Sequence, residues 1–205
     1  MGTSYDRDNF ASRWHLNTDQ IKRLEQFVAL FKQWNARIQM VSVTDSKRLW
    51  SRHVEDSLRL IPLIAHQRSI TDFGSGGGFP GIITALLTDL PHTLIESDQR
   101  KAIFLQQIKR QFALDLVVMN TRIETIEPMN APCITARALA PFDQLLTYAY
   151  RHLSTTGRCF FYKGRKAQQE QDIARHKGWM FHVKQHRNPY RADSVVLEVW
   201  DIQKQ

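Results

Sequence analysis

The stretch DFGSGGGFPG at residues 72–81 decides the fold of this chain. A short apolar run at 69–73 leads into it, and a helical pattern follows from about residue 80. Pro80 suits the first turn of that helix, because its missing N–H group would be unpaired there in any case. The stretch therefore predicts a strand, a glycine-rich loop and a helix in succession. In open α/β sheets such a junction lies at the carboxyl edge, where ligands bind.

Strand-like and helical patterns alternate along the chain that follows. Predicted strands occupy 69–73, 93–97, 115–119, 132–136 and 158–163, with predicted helices near 80–90, 99–113, 141–153 and 165–177 between them. This alternation is typical of βαβ units and a mainly parallel sheet. The last two runs, 179–186 and 194–202, have no helix between them and predict an antiparallel pair at the sheet edge. We expect an α/β fold with a doubly wound, mainly parallel, seven-stranded sheet and an antiparallel edge strand.

The N-terminal part of the chain has a helical pattern instead. Apolar residues recur at helical spacing over 18–41, and a second helix is predicted from about 46 to 61. Residues 1–15 are polar and are expected to be frayed. We therefore expect an N-terminal helical extension over 1–66 that packs on an α/β domain over 67–205.

Length and composition bound the class of protein. The chain has 205 residues, of which 42% are hydrophobic and 23% charged, which is ordinary for a globular domain. No apolar run approaches the roughly 18 residues that a membrane-spanning helix needs, and the first residues lack the apolar core of a signal peptide. Cys133 and Cys159 lie in apolar stretches and are expected to be buried, reduced thiols. These features predict a cytoplasmic protein with no membrane partner.

The net charge of +8 is concentrated in one part of the chain. We call residues 158–191 the basic tract, because this segment holds nine Lys and Arg residues against two acids, Glu170 and Asp172. A basic segment of this kind is the electrostatic footprint of a polyanion partner, although a solvated charged face explains it equally well.

Two carboxylates discriminate between the ligands that the glycine loop could bind. A phosphate-binding P-loop is excluded, because Ile82 follows Gly81 where a lysine is needed. The pattern G-x-G-x-x-G is present, so a nicotinamide-dependent oxidoreductase stays open as an alternative. Asp72 precedes the glycines and suits an ammonium group better than a pyrophosphate, with contact made directly or through water. Glu96 ends the next predicted strand, where a carboxylate can accept both hydroxyls of a ribose. Together they favour S-adenosyl-L-methionine.

Several blocks of this sequence resemble the bacterial RsmG (GidB) methyltransferases. DFGSGGGFPG is joined by WNARIQMVS at 34–42, RHVEDSL at 52–58, ESDQRKAIFL at 96–105, TARALAPFDQLL at 135–146 and FYKGR at 161–165. The blocks occur in order over most of the chain. The resemblance implies a class I, Rossmann-like methyltransferase fold and an S-adenosyl-L-methionine cofactor. It also implies methylation of guanine N7 in 16S ribosomal RNA, at guanine 527 of the small subunit. We expect the protein to act on 16S ribosomal RNA, within the small subunit or its precursor, and as a monomer.

The resemblance also implies which residues contact the cofactor. Gly74 and Phe79 would line it, Glu96 would hold the ribose, Ile123 and Glu124 would border the adenine, and Arg137 would reach the cofactor or the adjoining RNA. The full set of expected cofactor contacts is Asp72, Gly74, Gly76, Phe79, Glu96, Ile123, Glu124 and Arg137. Two departures stand out. Gln39 and Met40 replace the usual Asn-Leu, and Glu96 stands where many members of the family have Asp.

No catalytic acid or base is expected, because guanine N7 already carries a lone pair and no proton. Candidate contacts to the guanine or its phosphates are Arg137, Lys163 and Arg165. His53 and Asp56 are expected to hydrogen-bond the helical extension to the sheet domain. His182 and His186 fall in a predicted strand, so we expect no zinc site and no other metal. A third class, a non-catalytic RNA-binding protein with a methyltransferase fold, is left as a further alternative.

Overall fold

The computed structural model describes residues 6–189 and 191–205, which form a seven-stranded sheet flanked by helices. The strands are β1 (Ile70–Phe73), β2 (His92–Ile95), β3 (Leu116–Met119), β4 (Ala131–Arg137), β5 (Leu153–Lys163), β6 (Trp179–Asn188) and β7 (Arg191–Lys204). Their order across the sheet is β3-β2-β1-β4-β5-β7-β6. β1 to β5 pair in parallel, and β7 is antiparallel to both β5 and β6. The sequence-based expectation of a mainly parallel sheet with an antiparallel edge is confirmed.

Helices cover both faces of the sheet. They are α1 (Arg7–Arg13), α2 (Thr18–Ile38), α3 (Val43–Ser46), α4 (Glu55–Leu58), α5 (Ile61–Ile64), α6 (Gly81–Leu87), α7 (Gln99–Gln111), α8 (Phe142–His152) and α9 (Ala167–His176). A π-helical turn spans Trp50–Val54 and a 3₁₀ turn spans Ile123–Thr125. Over the described residues, no helix has the length and hydropathy that crossing a membrane requires.

Two hydrophobic clusters fix the helices on opposite faces of the sheet. Phe27 and Phe31 of α2 join Phe104 of α7 in one cluster, where ring centroids lie 6.1 to 6.4 Å apart. Phe142 of α8 and Phe161 of β5 belong to the other cluster, with centroids 6.2 Å apart. The N-terminal helices therefore share one core with α6 and α7, and they form a layer of the same fold.

The expectation that residues 1–15 are frayed is wrong over α1. Asp6 caps this helix, because its Oδ1 accepts the Asn9 N–H at 3.2 Å. Phe10 is only 5% exposed and meets the Trp50 ring edge-on, with centroids 5.0 Å apart. A single aromatic residue among polar neighbours gives no periodic signal, so the sequence pattern could not indicate this helix. Residues 1–5 lie outside the described part of the chain.

The helix predicted over 46–61 is present as a run of short helical segments, with right-handed helical backbone at Leu49, Arg59 and Leu60 between them. The π-helical turn at Trp50–Val54 runs into α4, and α5 follows with Pro62 in its first turn. A π-helical turn shifts the apolar stripe relative to a regular α-helix, since each turn then contains more residues. The π-helical turn matters for function, because this segment carries His53 and Asp56 to the carboxyl edge of the sheet.

Candidate functional site

A cleft of about 410 Å³ lies at the carboxyl edge of the parallel strands. Its walls are formed by the loops that follow β1, β2, β3 and β4, together with the segment between α2 and α4. Of the residues expected to contact a cofactor, all but Asp72 line it: Gly74, Gly76, Phe79, Glu96, Ile123, Glu124 and Arg137. The structure therefore brings together at one site residues that lie up to 63 positions apart in the sequence.

Glycine is required in this loop for reasons of space. Gly74 has φ of +64°, and a Cβ there would come within 2.5 Å of Leu139 Cδ1, which belongs to the opposite wall. A Cβ on Gly81 would lie 2.7 Å from Asp72 Oδ2 and 2.6 Å from Leu94 Cδ2. The first glycine lets Leu139 pack directly against the loop, and the second lets α6 begin directly above a buried carboxylate.

Asp72 lies beneath the loop and is not part of the cleft wall. Its side chain is buried, with Oδ1 accepting the Thr135 hydroxyl at 2.6 Å, while Oδ2 has no hydrogen-bond partner within the described residues. Burial raises the pKa of this carboxyl to about 6, against the opposing effect of hydrogen bonds from Thr135 and Ser75. The structure thus places Asp72 where it supports the loop from behind, one layer away from a ligand in the cleft.

Glu96 is held at the cleft by backbone amides. Its Oε2 accepts the Gly76 N–H at 2.7 Å, and its Oε1 accepts the Asp98 N–H at 2.8 Å. The side chain is only 6% exposed, so the two amides fix the carboxylate in one orientation. This contact also ties the glycine loop after β1 to the end of β2.

Ile123 and Glu124 form another wall of the cleft, in the 3₁₀ turn after β3. Ile123 is buried and presents an apolar surface, whereas Glu124 is exposed and accepts the Tyr148 hydroxyl at 2.6 Å. That hydrogen bond lowers the pKa of the Glu124 carboxyl. An apolar side chain beside a fixed carboxylate can accommodate a flat, polar-edged ring such as a purine.

Arg137 lines the cleft at the end of β4, and several neighbouring groups hold its guanidinium in place. Its Nη2 donates to the Arg52 carbonyl oxygen at 2.6 Å and lies 3.6 Å from Asp56 Oδ2. The guanidinium also lies over the Tyr162 ring, 5.7 Å from its centroid. Its buried Nη1 has no hydrogen-bond partner within the described residues. The guanidinium is therefore oriented, yet keeps an unused donor.

Asp56 connects the helical segment to the sheet, as the sequence predicted. Its Oδ1 accepts the Asn188 amide at 3.1 Å, and its Oδ2 accepts Arg191 Nη1 at 3.0 Å. With Arg137 on the same carboxylate, Asp56 joins β4 to the β6–β7 hairpin.

His53 does not make the predicted hydrogen bond. Neither ring nitrogen has a hydrogen-bond partner within the described residues, and Nε2 is fully buried. The ring packs on Phe79 with centroids 5.0 Å apart and lines the cleft. Burial, and then the nearby Arg137 charge, lower the pKa of His53 to about 3, so the imidazole is uncharged at neutral pH.

The structure does not bring Lys163 and Arg165 to the cleft. Lys163 Nζ donates to Glu170 Oε2 at 2.7 Å and to the Ala140 carbonyl oxygen at 2.9 Å, and its side chain is 7% exposed. These contacts fasten the turn before α8 to α9. Arg165 is exposed in the turn that follows β5. Of the three candidate substrate contacts, only Arg137 is in the cleft wall.

The basic tract is divided between the two edges of the sheet. At the carboxyl edge, where β5 and β6 end and β7 begins, lie Lys163, Arg165, Lys166, Arg187 and Arg191. Nearer the amino edge lie Arg158 in the first part of β5, and Arg175 and Lys177 around the end of α9. The tract is therefore not one continuous wall beside the cleft.

Sequence reasoning missed several residues of the cleft. Lys101 on α7 and Arg122 before the 3₁₀ turn add two cations to its walls, and Met40 and Val41 close it from the N-terminal segment. The positions of Lys101 and Arg122 after the second and third predicted strands were a usable signal, because loops after parallel strands converge at the same edge.

The cysteines and histidines carry no metal-binding arrangement. Within residues 6–189 and 191–205, no group of three or more His, Cys, Asp or Glu side chains could hold an ion. Cys133 and Cys159 are buried thiols whose pKa is raised by burial. His186 Nε2 lies 2.8 Å from Glu198 Oε2, and His182 stacks on Trp200.

Solved structures with this architecture include proteins that bind S-adenosylmethionine. A mutant of MtNAS in complex with S-adenosylmethionine superposes with a TM-score of 0.61 at 12% identity, covering 97% of this chain and 84% of that chain. TYW2 from M. jannaschii in complex with AdoMet has a TM-score of 0.55 at 14% identity, covering 75% and 76%. At these identities the likeness concerns the fold alone, and it confirms the class I, Rossmann-like methyltransferase fold.

Curated relatives are much closer in sequence. "Ribosomal RNA small subunit methyltransferase G" of Gluconobacter oxydans is 47% identical over 185 residues, covering 89% of this chain and 94% of that protein. The protein of the same name from Paracoccus denitrificans is 38% identical over 183 residues, covering 88% and 94%. The family described as rRNA small subunit methyltransferase G, GidB, matches residues 20–193. Since that match takes in both the cleft and the helices that close it, the chain belongs to the rRNA small subunit methyltransferase G family.

Proposed function

We propose that this chain is an S-adenosyl-L-methionine-dependent methyltransferase that methylates N7 of a guanine in 16S ribosomal RNA, at guanine 527 according to the sequence resemblance. The observation that carries the proposal is the Glu96 carboxylate, which two backbone N–H groups hold in the wall of the cleft. Each carboxylate oxygen accepts one of these bonds and has capacity for another. Glu96 can therefore accept both hydroxyls of a ribose without moving.

The remaining residues of the cleft fit the rest of this cofactor. A volume of about 410 Å³ is within the range of small-molecule sites. Ile95 and Ile123 offer apolar surface for an adenine, with Glu124 at its polar edge. Gly74 and Leu139 both line the cleft, where the amino-acid portion of the cofactor would lie.

The glycine loop is poorly suited to a dinucleotide. A pyrophosphate needs unpaired backbone N–H groups at the loop. Here the Gly76 N–H is bonded to Glu96, the Gly78 N–H to the Ser75 carbonyl at 2.7 Å, and the Ser75 N–H to the Ile95 carbonyl at 3.1 Å. A fixed carboxylate beside these amides would also repel phosphates. This pattern disfavours the nicotinamide-dependent alternative.

Methyl transfer to guanine N7 requires the protein to align the reactants and does not require a catalytic general base. When bound, S-adenosyl-L-methionine supplies an electrophilic methyl group. Guanine N7 has a lone pair and no proton to remove, so the side chains need only align the base and exclude water. His53 suits such a wall, because its low pKa keeps it uncharged beside a purine that becomes cationic. Arg137 lines the cleft and can hold the base or an adjoining phosphate.

We assign the residues that bind the RNA substrate from the positive charges in the cleft walls. Lys101, Arg122 and Arg137 line the walls and are the cations that we assign to RNA phosphates. We further propose that the protein acts as a monomer in the cytoplasm. We keep the division into a helical segment at 1–66 and a methyltransferase domain at 67–205 as part of this proposal.

The test combines cofactor binding with methyl transfer. Calorimetric titration should give binding of S-adenosyl-L-methionine and none of NAD. Labelled cofactor should then transfer its methyl group to 16S ribosomal RNA from a strain that lacks the modification, presented both as naked RNA and as assembled small subunits. Cleavage specific for N7-methylguanine locates the modified base. Glu96→Gln serves as the control that keeps the fold and loses the cofactor.

Each result has a defined meaning. Binding of RNA and cofactor without transfer to either substrate would support the non-catalytic alternative. Methylation at another atom or base would refute the N7 assignment while leaving the methyltransferase intact. Tight binding of NAD would refute the cofactor assignment.

A further inference from the structure

A second polar cavity lies at the amino edge of the sheet, at the opposite end of the strands from the cleft. It has a volume of about 520 Å³ and is formed by the segment before β1, the start of β4 and the first part of β5. We call it the amino-edge pocket and define it by His66, Arg68, Ser154, Thr156 and Arg158. Its residues take no part in the site described above.

The lining of this pocket is that of an anion site. It combines two arginines and a histidine with two hydroxyl groups, and no carboxylate among the described residues lines it. Arginine forks and hydroxyl groups are the donors that hold phosphate oxygens. A third cavity, between α6 and β3, has Asp89 and Asp115 in its wall and lacks this character.

The guanidinium of Arg158 is held in a defined position by neighbouring side chains. Its guanidinium lies over the Trp200 ring, 4.2 Å from the centroid, and its Nε is 4.0 Å from Glu198 Oε1. Glu198 is also engaged by His186 at 2.8 Å. Arg158 Nη1 is buried and has no hydrogen-bond partner within the described residues. Arg158 lines the pocket and its ion pair with Glu198 is a long one, so its guanidinium can donate to an anion there.

The position of the pocket suggests the source of the anion. Arg158 lies five positions along β5 from Lys163 at the carboxyl edge, which is roughly 17 Å at the rise of a strand. A small ligand could not reach both the cleft and this pocket, whereas a folded RNA could. A folded RNA that spans both edges would meet exposed cations of the basic tract at each of them.

We propose that the amino-edge pocket binds a backbone phosphate of the ribosomal RNA substrate, at a second contact remote from the methylated base. The inference rests on the proposed function for the identity of the RNA. Arg68 is exposed at the pocket rim and supplies long-range attraction, and Arg158 supplies the fixed guanidinium. The contact contributes to affinity and orientation, and leaves the methyl-transfer step unchanged.

The test uses Arg68→Glu, because this exposed side chain can be changed without disturbing the core. Lys109→Glu is the matched control, an equal charge reversal at an exposed position of α7 on the opposite flank of the sheet. Filter binding of 16S ribosomal RNA transcript and of assembled small subunits is measured over a range of KCl concentrations. Arg158→Gln is the second variant, with thermal unfolding monitored.

We expect Arg68→Glu to weaken binding of the transcript by roughly three- to tenfold beyond any effect of Lys109→Glu, and to reduce the slope of log K against log salt by about one. The Kd for S-adenosyl-L-methionine and kcat at saturating RNA should stay unchanged. Arg158→Gln should reproduce the weaker RNA binding.

Equal effects of Arg68→Glu and Lys109→Glu on RNA binding would overturn the proposal. Loss of affinity for assembled subunits alone would assign the pocket to a ribosomal protein and would also overturn it. If the wild-type protein binds the transcript but transfers no methyl group, the proposed function fails while the comparison of binding affinities still decides the pocket.

Discussion

Asp56→Asn is the most informative single substitution, because one buried carboxylate faces two arginines. The Asp56 side chain is 4% exposed and lies 3.0 Å from Arg191 Nη1 and 3.6 Å from Arg137 Nη2. Removing one partner of a buried ion pair costs about 3–5 kcal/mol, since the other charge is left uncompensated. Asparagine keeps an oxygen that can accept the Asn188 amide, and both arginines retain some exposure. We therefore expect a loss of about 2–3 kcal/mol in the free energy of unfolding.

The matched control for this change is Asp45→Asn. Asp45 pairs with Arg52 at 3.2 Å, but both side chains are about one-third exposed. Such a pair contributes about 0–1 kcal/mol. Urea denaturation of the three proteins at pH 7.5 measures the difference. Asp56→Asn removes the negative charge beside the Arg137 guanidinium. It should therefore also lower kcat for methyl transfer more than it raises the Kd for cofactor.

Two results would refute this reasoning. Equal destabilisation by Asp56→Asn and Asp45→Asn would mean that burial does not distinguish the two carboxylates. Full activity of Asp56→Asn under conditions where it is folded would mean that Asp56 does not position Arg137.

Four further substitutions test other parts of the site. Glu96→Gln should raise the Kd for S-adenosyl-L-methionine at least tenfold in calorimetry, because an amide NH₂ would face one of the two backbone N–H donors; an unchanged Kd would contradict this role. His53→Phe should change the free energy of unfolding by less than about 1 kcal/mol, since it removes ring nitrogens without partners, yet lower methylation; unchanged methylation would make the ring structural. Lys163→Met should lower Tm and leave the cofactor Kd unchanged, because the lysine is buried in a pair with Glu170; a lower affinity for RNA at an unchanged Tm would restore its predicted substrate contact. The pKa of the Asp72 carboxyl is raised to about 6, so its stabilising contribution is fully present below its unfolded value of 3.8 and is lost as pH rises through 6. Relative to Asp72→Asn, the wild type should therefore lose about 2 kcal/mol between pH 4 and pH 7 in denaturant titrations, and a constant difference would contradict burial of this charge.

The strands and the glycine loop could be predicted because their signal is local. Each predicted strand overlaps an observed one, and the loop between β1 and α6 is where the sequence placed it. The carboxyl edge then followed from the topology, so that residues as distant in sequence as Gly74 and Arg137 could be assigned to one site before any contact was known.

The helices of the N-terminal segment were harder to predict because tertiary contacts define them. α1 is held by one buried aromatic residue, Phe10, among polar neighbours. The predicted helix over 46–61 keeps its apolar residues, yet a π-helical turn changes which of them share a face. His53 in that turn packs against Phe79, and its ring nitrogens have no hydrogen-bond partner among the described residues. Asp56, three residues later, contacts three polar side chains. Sequence spacing alone could not separate these two roles.

Charge was the least predictable property, because the fold decides whether a cation meets a partner. Lys163 and Arg137 both end a parallel strand, so the sequence predicts a substrate contact for each of them. Lys163 forms an ion pair with Glu170, which lies seven residues later on α9. Arg137 lies near the Asp56 carboxylate, and its buried Nη1 has no partner among the described residues. Arg158 repeats that arrangement at the opposite edge, where its guanidinium lies over the Trp200 ring and one nitrogen has no partner in the part of the chain that the structure describes. Burial and the acceptors already used by each cation, rather than its position in a basic segment, are therefore the features from which we propose RNA contacts in this protein.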